Sequence, residues 1–503
     1  MFIDHFKMLK RIILPLLVII SLTACKRDFF AESGPGELQF SNDTIIFDTV
    51  FTTVGTTTHT LKVYNRNSNS VTISSIDLSN LNSEGVYRIN VDGVSGTHAE
   101  NIKIAANDSI YIFVEATINP VSGNLPYLVT DSLIFVTNGK TQNVNLVAYG
   151  QNANFYTPHD NFFMNGSDTV NYKYHSINEN TTWNNTLPHV IYGYIIIEKN
   201  EFGEIPTLTI EPGCQIYFHK NSGIIVGNPL ISNNGGTLIV GNPDGIPEPE
   251  NPVIFQGDRL DSWYEDVAGQ WDKIWFTPGS VNNKINNAII RNGTVGLHID
   301  TIGNNNPTLT IKNTMIQNMS DIGVFAQGSH VVGENNVIID CGRYALVLNI
   351  GGTYDFKHST FANYWNFSSR NTPSILLNNF YEDANGNIQL RDLQQANFTN
   401  CIISGSLPAE IELQENTAAT FNYSFSNCIL KLHPDSSLSY LEENNSIKIQ
   451  NSDSLFVDIQ EGNYQLHQFS PAIDAGIDVG VSLDILGNTR IGLPDLGAYE
   501  KVN

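Results

Sequence analysis

The chain of 503 residues carries 26 Lys and Arg against 50 Asp and Glu, a formal charge of −24, and no basic stripe that could neutralise phosphates, which excludes a nucleic-acid partner. Charged residues make up only 15% of the sequence and apolar residues 41%, while Asn outnumbers Lys and Arg together, so surface polarity comes from amides and hydroxyls. The length allows roughly two to four domains with at least one large core.

The first predicted element is an export signal. In MLKRIILPLLVIISLTAC, Lys10 and Arg11 precede an apolar run from Ile12 to Ile20, too short for a permanent membrane span. It ends in Leu22-Thr23-Ala24-Cys25, which resembles the bacterial lipobox. The resemblance implies removal of residues 1–24 and lipidation of Cys25 as the mature N-terminus. Acyl chains contribute about 0.8 kcal/mol per buried CH₂, so multiple acylation would hold the protein stably on a membrane. Lys26 is not the Asp that favours inner-membrane retention in such lipoproteins, so the resemblance points to the outer membrane and leaves the leaflet open.

Residues 25–40 read as a tether with Gly and Pro. From 41 to 153 the runs TIIFDTVF, THTLKVYNR, SVTISSIDL, IYIFVEATI, DSLIFVTN and NVNLVAYGQ alternate apolar and polar residues, as at Leu61 and Val63 and at Ile110, Ile112 and Val114. Turns rich in Asn, Asp and Gly separate them at sandwich spacing, which predicts an all-β sandwich. The stretches FDTVFTTVGTTTHTLKVYNRNSNSVTI and LIFVTNGKTQNVNLVAYGQ resemble Hydin-type immunoglobulin-like modules, which implies a spacer or binder.

Residues 154–469 predict a right-handed parallel β-helix. The units Asn287-Ala288-Ile289-Ile290, Asn313-Thr314-Met315-Ile316, Asn336-Val337-Ile338-Ile339, His358-Ser359-Thr360-Phe361, Asn400-Cys401-Ile402-Ile403 and Asn427-Cys428-Ile429-Leu430 align as solenoid turns, one gap being long enough for an extra turn or an inserted loop. The second and fourth residues of each unit share a strand face and point inward, while the leading Asn tolerates the left-handed corner and forms a ladder between turns. Cys401 and Cys428 stack in matching small inward positions, and parallel stacking predicts two reduced, buried thiols. No Leu-x-x-Leu-x-Leu frame recurs, which excludes leucine-rich repeats. HVIYGYIII, TLTIEPGCQIYFHKNSGIIVG and GGTLIVGNPDGIPEPENPVIFQGDR resemble the first turns of bacterial surface β-helix proteins, themselves similar to pectin-lyase-type folds; fold alone carries no activity across.

The tail, residues 470–503, contains SPAIDAGIDVGVSLDILGNTRIGLPDLGAYE. It resembles the choice-of-anchor tails of secreted β-helix proteins through Ser470, Pro471, Asp474, Gly476, Asp484, Gly487, Arg490, Asp495, Gly497 and Glu500, with the usual acid after DAG displaced to Asp478. A solenoid's exposed end needs a cap, so capping is the main expectation. A calcium site at Asp474, Asp484 or Asp495 is the alternative, without a regular ligand spacing to support it.

Two clusters carry chemistry. Asp258, Arg259, Asp261, Trp263, Tyr264, Glu265 and Asp266 put carboxylates beside flat aromatics, as a saccharide site requires; the plainer reading is a covering loop with Trp271 and Trp275 in the core. Arg343, His358, Trp365 and Arg370 form a second group that could serve a polysaccharide lyase. No zinc spacing, phosphate loop or serine-nucleophile elbow occurs. The sequence therefore favours a non-catalytic, membrane-anchored envelope lipoprotein binding glycan or an envelope protein; the alternative is a β-helix polysaccharide lyase or glycoside hydrolase.

Overall fold

The computed structural model describes residues 37–502 apart from 53–54, 80–84, 120–126, 166–168, 232–233, 301–307, 384, 434–443 and 452–453. The expected signal segment, Cys25 and the tether as far as residue 36 lie outside the described residues. The chain divides into two compact units between Asn152 and Ala153.

The first unit is a β-sandwich of two five-stranded sheets. One orders Gln39–Phe40, His59–Tyr64, Ser109–Ala116, Tyr87–Val91 and Val94–Gly96; the other orders Thr44–Phe51, Lys140–Gln151, Tyr127–Thr137, Val71–Leu78 and His98–Ile104. Period-two alternation builds the core: Leu61, Val63, Ile112 and Val114 are buried, while Tyr111 and Phe113 between them face outward. Thr44–Phe51 runs parallel to Lys140–Gln151, and the other described pairings are antiparallel.

The second unit is a right-handed parallel β-helix with three faces. The first face stacks 11 parallel strands from Asn154–Tyr156 to Ile447–Ile449. The second runs from Thr169–Ile177 through Tyr194–Ile197, Gly223–Val226, Ile274–Phe276 and Val295–Ile299 to Ile411–Gln414. The third runs from Thr181–Trp183 through Thr207–Ile210 and Leu309–Lys312 to Ser424–Ser426. Two long strands, Ile322–Glu334 and Tyr344–Lys357, bend across the edge between the second and third faces, pairing with the second through their first halves and the third through their second halves. Positive φ at Gly328 and at Ile350, Gly351 and Gly352 makes those bends.

Inside, like residues stack on like. Ile290, Ile316, Ile338, Phe361, Ile403 and Leu430 form one buried column, and Ala288, Cys401 and Cys428 belong to a neighbouring one. Cys401 and Cys428 are free thiols, and the Cys401 backbone N–H donates to Cys428 Sγ at 3.4 Å. Each fully buried large side chain stabilises the fold by about 1.5–3 kcal/mol relative to exposure. The expected register slips by one residue in a single unit: Met315 pairs with Val337, so Asn335 rather than Asn336 follows Asn313 in the ladder, and Val337 and Ile339 point outward. The long gap between His358 and Asn400 is one turn, since Thr360 pairs directly with Ile402; it holds an inserted antiparallel hairpin, Phe380–Glu382 with Ile388–Leu390.

The tail differs from an end cap. Its Ala472, Ile485, Leu496, Ala498 and Tyr499, together with Leu455, Phe456, Tyr464 and Leu466 just before it, lie along the side of the solenoid, covering the outward residues Val337, Ile339, Ala362, Ile402 and Ile429 of the first face. The physical reason is that these five outward positions are apolar and need a partner of their own.

Candidate functional site

In each turn a corner joins the first face to the second. It occupies residues 192–193 in one turn, 219–222 in the next and 258–273 in the third. The long third corner folds over its neighbours and bounds an open cleft of about 810 Å³, lined by Tyr172, Lys173, Tyr192, Tyr194, His219, Lys220, Gln270, Trp271, Asp272, Lys273 and Thr294 among others. The loop is fixed from within. Trp271 inserts into the core and stacks on Phe218 at 4.3 Å between ring centroids, donating its indole N–H to Arg291 O at 2.9 Å. The Gln270 amide donates to Tyr264 O and Val267 O, and the ladder residues Asn292 and Asn318 donate to Glu265 O and Asp266 O.

The carboxylate in the cleft, Asp272, and the one behind its His219, Asp258, are both committed. Asp258 Oδ2 lies 2.7 Å from His219 Nδ1, and this hydrogen bond raises the His219 pKa above its ordinary value against the opposing effect of burial. The Tyr192 ring packs on His219 at 4.7 Å, and burial, with the charge of Asp258, pushes its phenol up to about 12. Asp272 Oδ2 accepts from the Tyr194 hydroxyl at 2.7 Å and lies 3.6 Å from Lys273 Nζ. Burial first, and then Asp272, holds the Tyr194 phenol far above the usual range, so it stays a hydrogen-bond donor. Tyr172 packs edge-on against Tyr194 at 4.8 Å, and Lys273 lies over the Trp275 ring at 5.3 Å.

Of the first sequence cluster, Asp258 reaches this cleft, through His219. Arg259 stacks on Tyr264 at 4.6 Å, and Asp261, Trp263, Glu265 and Asp266 lie on the outer part of the loop, with Trp263 82% exposed. Trp271 is in the core as expected, but Trp275 faces outward on the second face, its indole N–H donating to Asp300 Oδ2 at 2.8 Å and its ring stacked on His298.

The second cluster does not assemble. Arg343 forms a two-pronged ion pair with Asp321 at the surface. Trp365 is nearly buried and donates to Ser368 Oγ at 2.9 Å. Arg370 is buried in a bidentate pair with Glu410 at 2.7 and 2.9 Å and also donates to Asn363 O and Ser406 Oγ. Burial raises the Glu410 pKa, with Arg370 and two backbone N–H groups opposing it. His358 is wholly enclosed between the ladder and the tail. In the tail, Asp484 accepts from the N–H groups of Leu486, Asn488 and Glu500, and Asp495 from those of Asp474 and Lys501. Asp474 contributes its backbone N–H there and takes positive φ. Among the described residues no group of three or more His, Cys, Asp or Glu is placed to hold a metal ion.

The cleft residues that sequence reasoning missed are Tyr172, Lys173, Tyr192, Tyr194, Lys220, Asp272 and Lys273. For Tyr192, Tyr194, Lys220, Asp272 and Lys273 the signal was positional: YGY, HKN and QWDK lie where a first-face strand passes to a second-face strand, and aligning turns at that corner brings them together, whereas Tyr172 and Lys173 sit within the strand Thr169–Ile177 and had no such signal.

No family model and no curated protein sequence matches the chain. Among solved structures, the pectate lyase Pel9A is similar at 12% identity over 70% of this chain and 88% of its own, with a TM-score of 0.32. The PapD-like domain of human CEP192 is similar at 13% identity over 24% of this chain and 88% of its own, TM-score 0.17. A family 123 glycoside hydrolase from Clostridium perfringens is similar at 10% identity over 23% of this chain and 27% of its own, TM-score 0.17. These scores carry no inference about activity.

Proposed function

We propose that the protein is a lipid-anchored envelope protein whose β-helix binds glycan without cleaving it, at the cleft of its first turns. The observation that carries this reading is the composition of that cleft: Tyr172, Tyr192 and Tyr194 beside polar and charged groups, in an opening of about 810 Å³, sized for a few sugar rings. Hydrolysis would need an acid and a base or nucleophile facing each other across the scissile bond. Here Asp258 is engaged by His219, and Asp272 by Tyr194 and Lys273. Anchoring through a lipidated Cys25 in the outer membrane belongs to the same reading and rests on the lipobox-like sequence Leu22–Cys25.

The test is incubation of the chain with a panel of acidic and neutral polysaccharides, measuring retention and product formation together. Retention without product, reduced about tenfold or more in Tyr192→Ala, is the expected result. Product formation would overturn the non-catalytic reading, and retention of no polysaccharide would overturn glycan binding at this cleft.

A further inference from the structure

We infer that the cleft takes an anionic polysaccharide lying along the solenoid axis, with its repeating negative charges met by Lys173, Lys220 and Lys273. This rests on the glycan reading and narrows it to one ligand class. In a chain with 26 basic residues against 50 acidic ones, three lysines against one carboxylate, Asp272, in the lining of one cleft are a local reversal of sign. Lys173 and Lys220 are exposed and have no ion-pair partner among the described residues, whereas Lys273 shares Asp272 with a tyrosine. The two acids in and beside the cleft wall are therefore each internally engaged, and the uncommitted charge is positive.

Stacking order supplies the line. Tyr174 pairs with Tyr194 and Tyr194 with Gly223, so Lys173 falls opposite Gly193, and the turn that bears Lys220 at its corner lies one further along. Ile224 pairs with Ile274, which puts Lys273 opposite Gly223, on the turn after that. With neighbouring strands about 4.8 Å apart, the three lysines are distributed over about 14 Å parallel to the axis. A small anion would use one of them. A polymer with a charge on each sugar or every second sugar uses the row, with Tyr192 and Tyr194 beside it.

The experiment uses the full chain and measures retention on polygalacturonate, its carboxyl-reduced neutral counterpart and dextran sulfate, at low and high salt. The expected result is salt-sensitive retention of polygalacturonate well above that of the neutral polymer, falling about tenfold or more in the Lys173→Gln, Lys220→Gln double variant. Both lysines are exposed, and circular dichroism checks that the fold is kept. Lysine-dependent retention of dextran sulfate alone supports the same site with sulfate as the anion. Equal or better retention of the neutral polymer, or no effect of the double variant, overturns the anionic inference and leaves the glycan reading standing. No retention of any polymer by the wild type defeats both.

Discussion

At one corner of the β-helix, seven successive turns place a residue at positive φ: Asn287, Asn313, Asn335, His358, Asn400, Asn427 and Asn445. Asn is favoured because its amide tolerates this conformation. His358 takes the place of an Asn, with its Nδ1–H donating to Asp495 O at 3.1 Å and its Nε2 accepting from the Asn400 amide at 2.8 Å. Both ring nitrogens are used by the neutral imidazole, and burial, with Arg490 adding to it, lowers the His358 pKa to about 3. A histidine with a depressed folded-state pKa stabilises the fold above its ordinary value near 6.5 and loses that contribution as pH falls towards 3, on the order of 4 kcal/mol by pH 3. His358→Asn restores the ladder residue and removes the titration, so denaturation profiles of the variant should fall less steeply between pH 6 and 3 than those of the wild type. Buried Asp340, which burial raises to about 6, titrates in the opposite sense in both proteins and cancels in the comparison. Identical profiles would show that His358 is not the group responsible. Arg370→Ala leaves Glu410 charged and buried without its partner and should cost about 3–5 kcal/mol. Chemical denaturation reads that loss; glycan retention by the folded fraction should not change, because the pair lies outside the cleft.

Among the elements, the repeating strands are legible in the sequence because inward residues recur two apart after each Asn. The exceptions have physical causes. Asn335 and Asn336 are adjacent, and either fits the start of a unit by residue type; main-chain pairing selects Asn335, which puts Ile338 inside. The hairpin at Phe380–Leu390 adds length without adding a turn, which spacing alone does not distinguish from an extra turn. In sequence the tail reads as a cap because solenoid ends need one, yet its docking partner is the ladder itself. Asn400 donates to Ile477 O at 2.7 Å and accepts from Ile477 N at 3.1 Å, Asn335 donates to Leu483 O at 2.8 Å, and Arg490 reaches Asn335 Oδ1 at 3.0 Å. An Asn ladder can therefore bind a neighbouring segment as well as its own next turn. Asn400→Ala removes both bonds to Ile477 and the bond to His358, and places Ala at positive φ; it should destabilise by about 2–4 kcal/mol. Hydrogen exchange at residues 477–498 should rise more than in the inner strands. Uniform exchange throughout would mean that the tail does not open separately from the solenoid.

Over the whole molecule, solenoid stacking determines what a linear reading can find. The acidic aromatic stretch 258–266 stands out because its residues are contiguous, yet it does not line the cleft and bears on it only through the hydrogen bond of Asp258 to His219. Lys173, Tyr192, Lys220 and Lys273 are separated by intervals of unequal length, so their convergence depends on loop lengths and register that only the stacked turns define. The cleft lies wholly within the unit that begins at Ala153, whereas the proposed lipid attachment is at Cys25. Anchoring and glycan binding should then be separable on one chain. In Cys25→Ala the protein should move from the membrane to the soluble fraction, because a buried acyl chain contributes about 0.8 kcal/mol per CH₂ and the variant has none to insert. Retention on the glycan that the wild type binds should be unchanged in that soluble protein. Persistence of a processed Cys25→Ala chain in the membrane fraction would refute anchoring by lipidation, and a soluble, folded variant that no longer retains glycan would refute the independence of the cleft from the anchor.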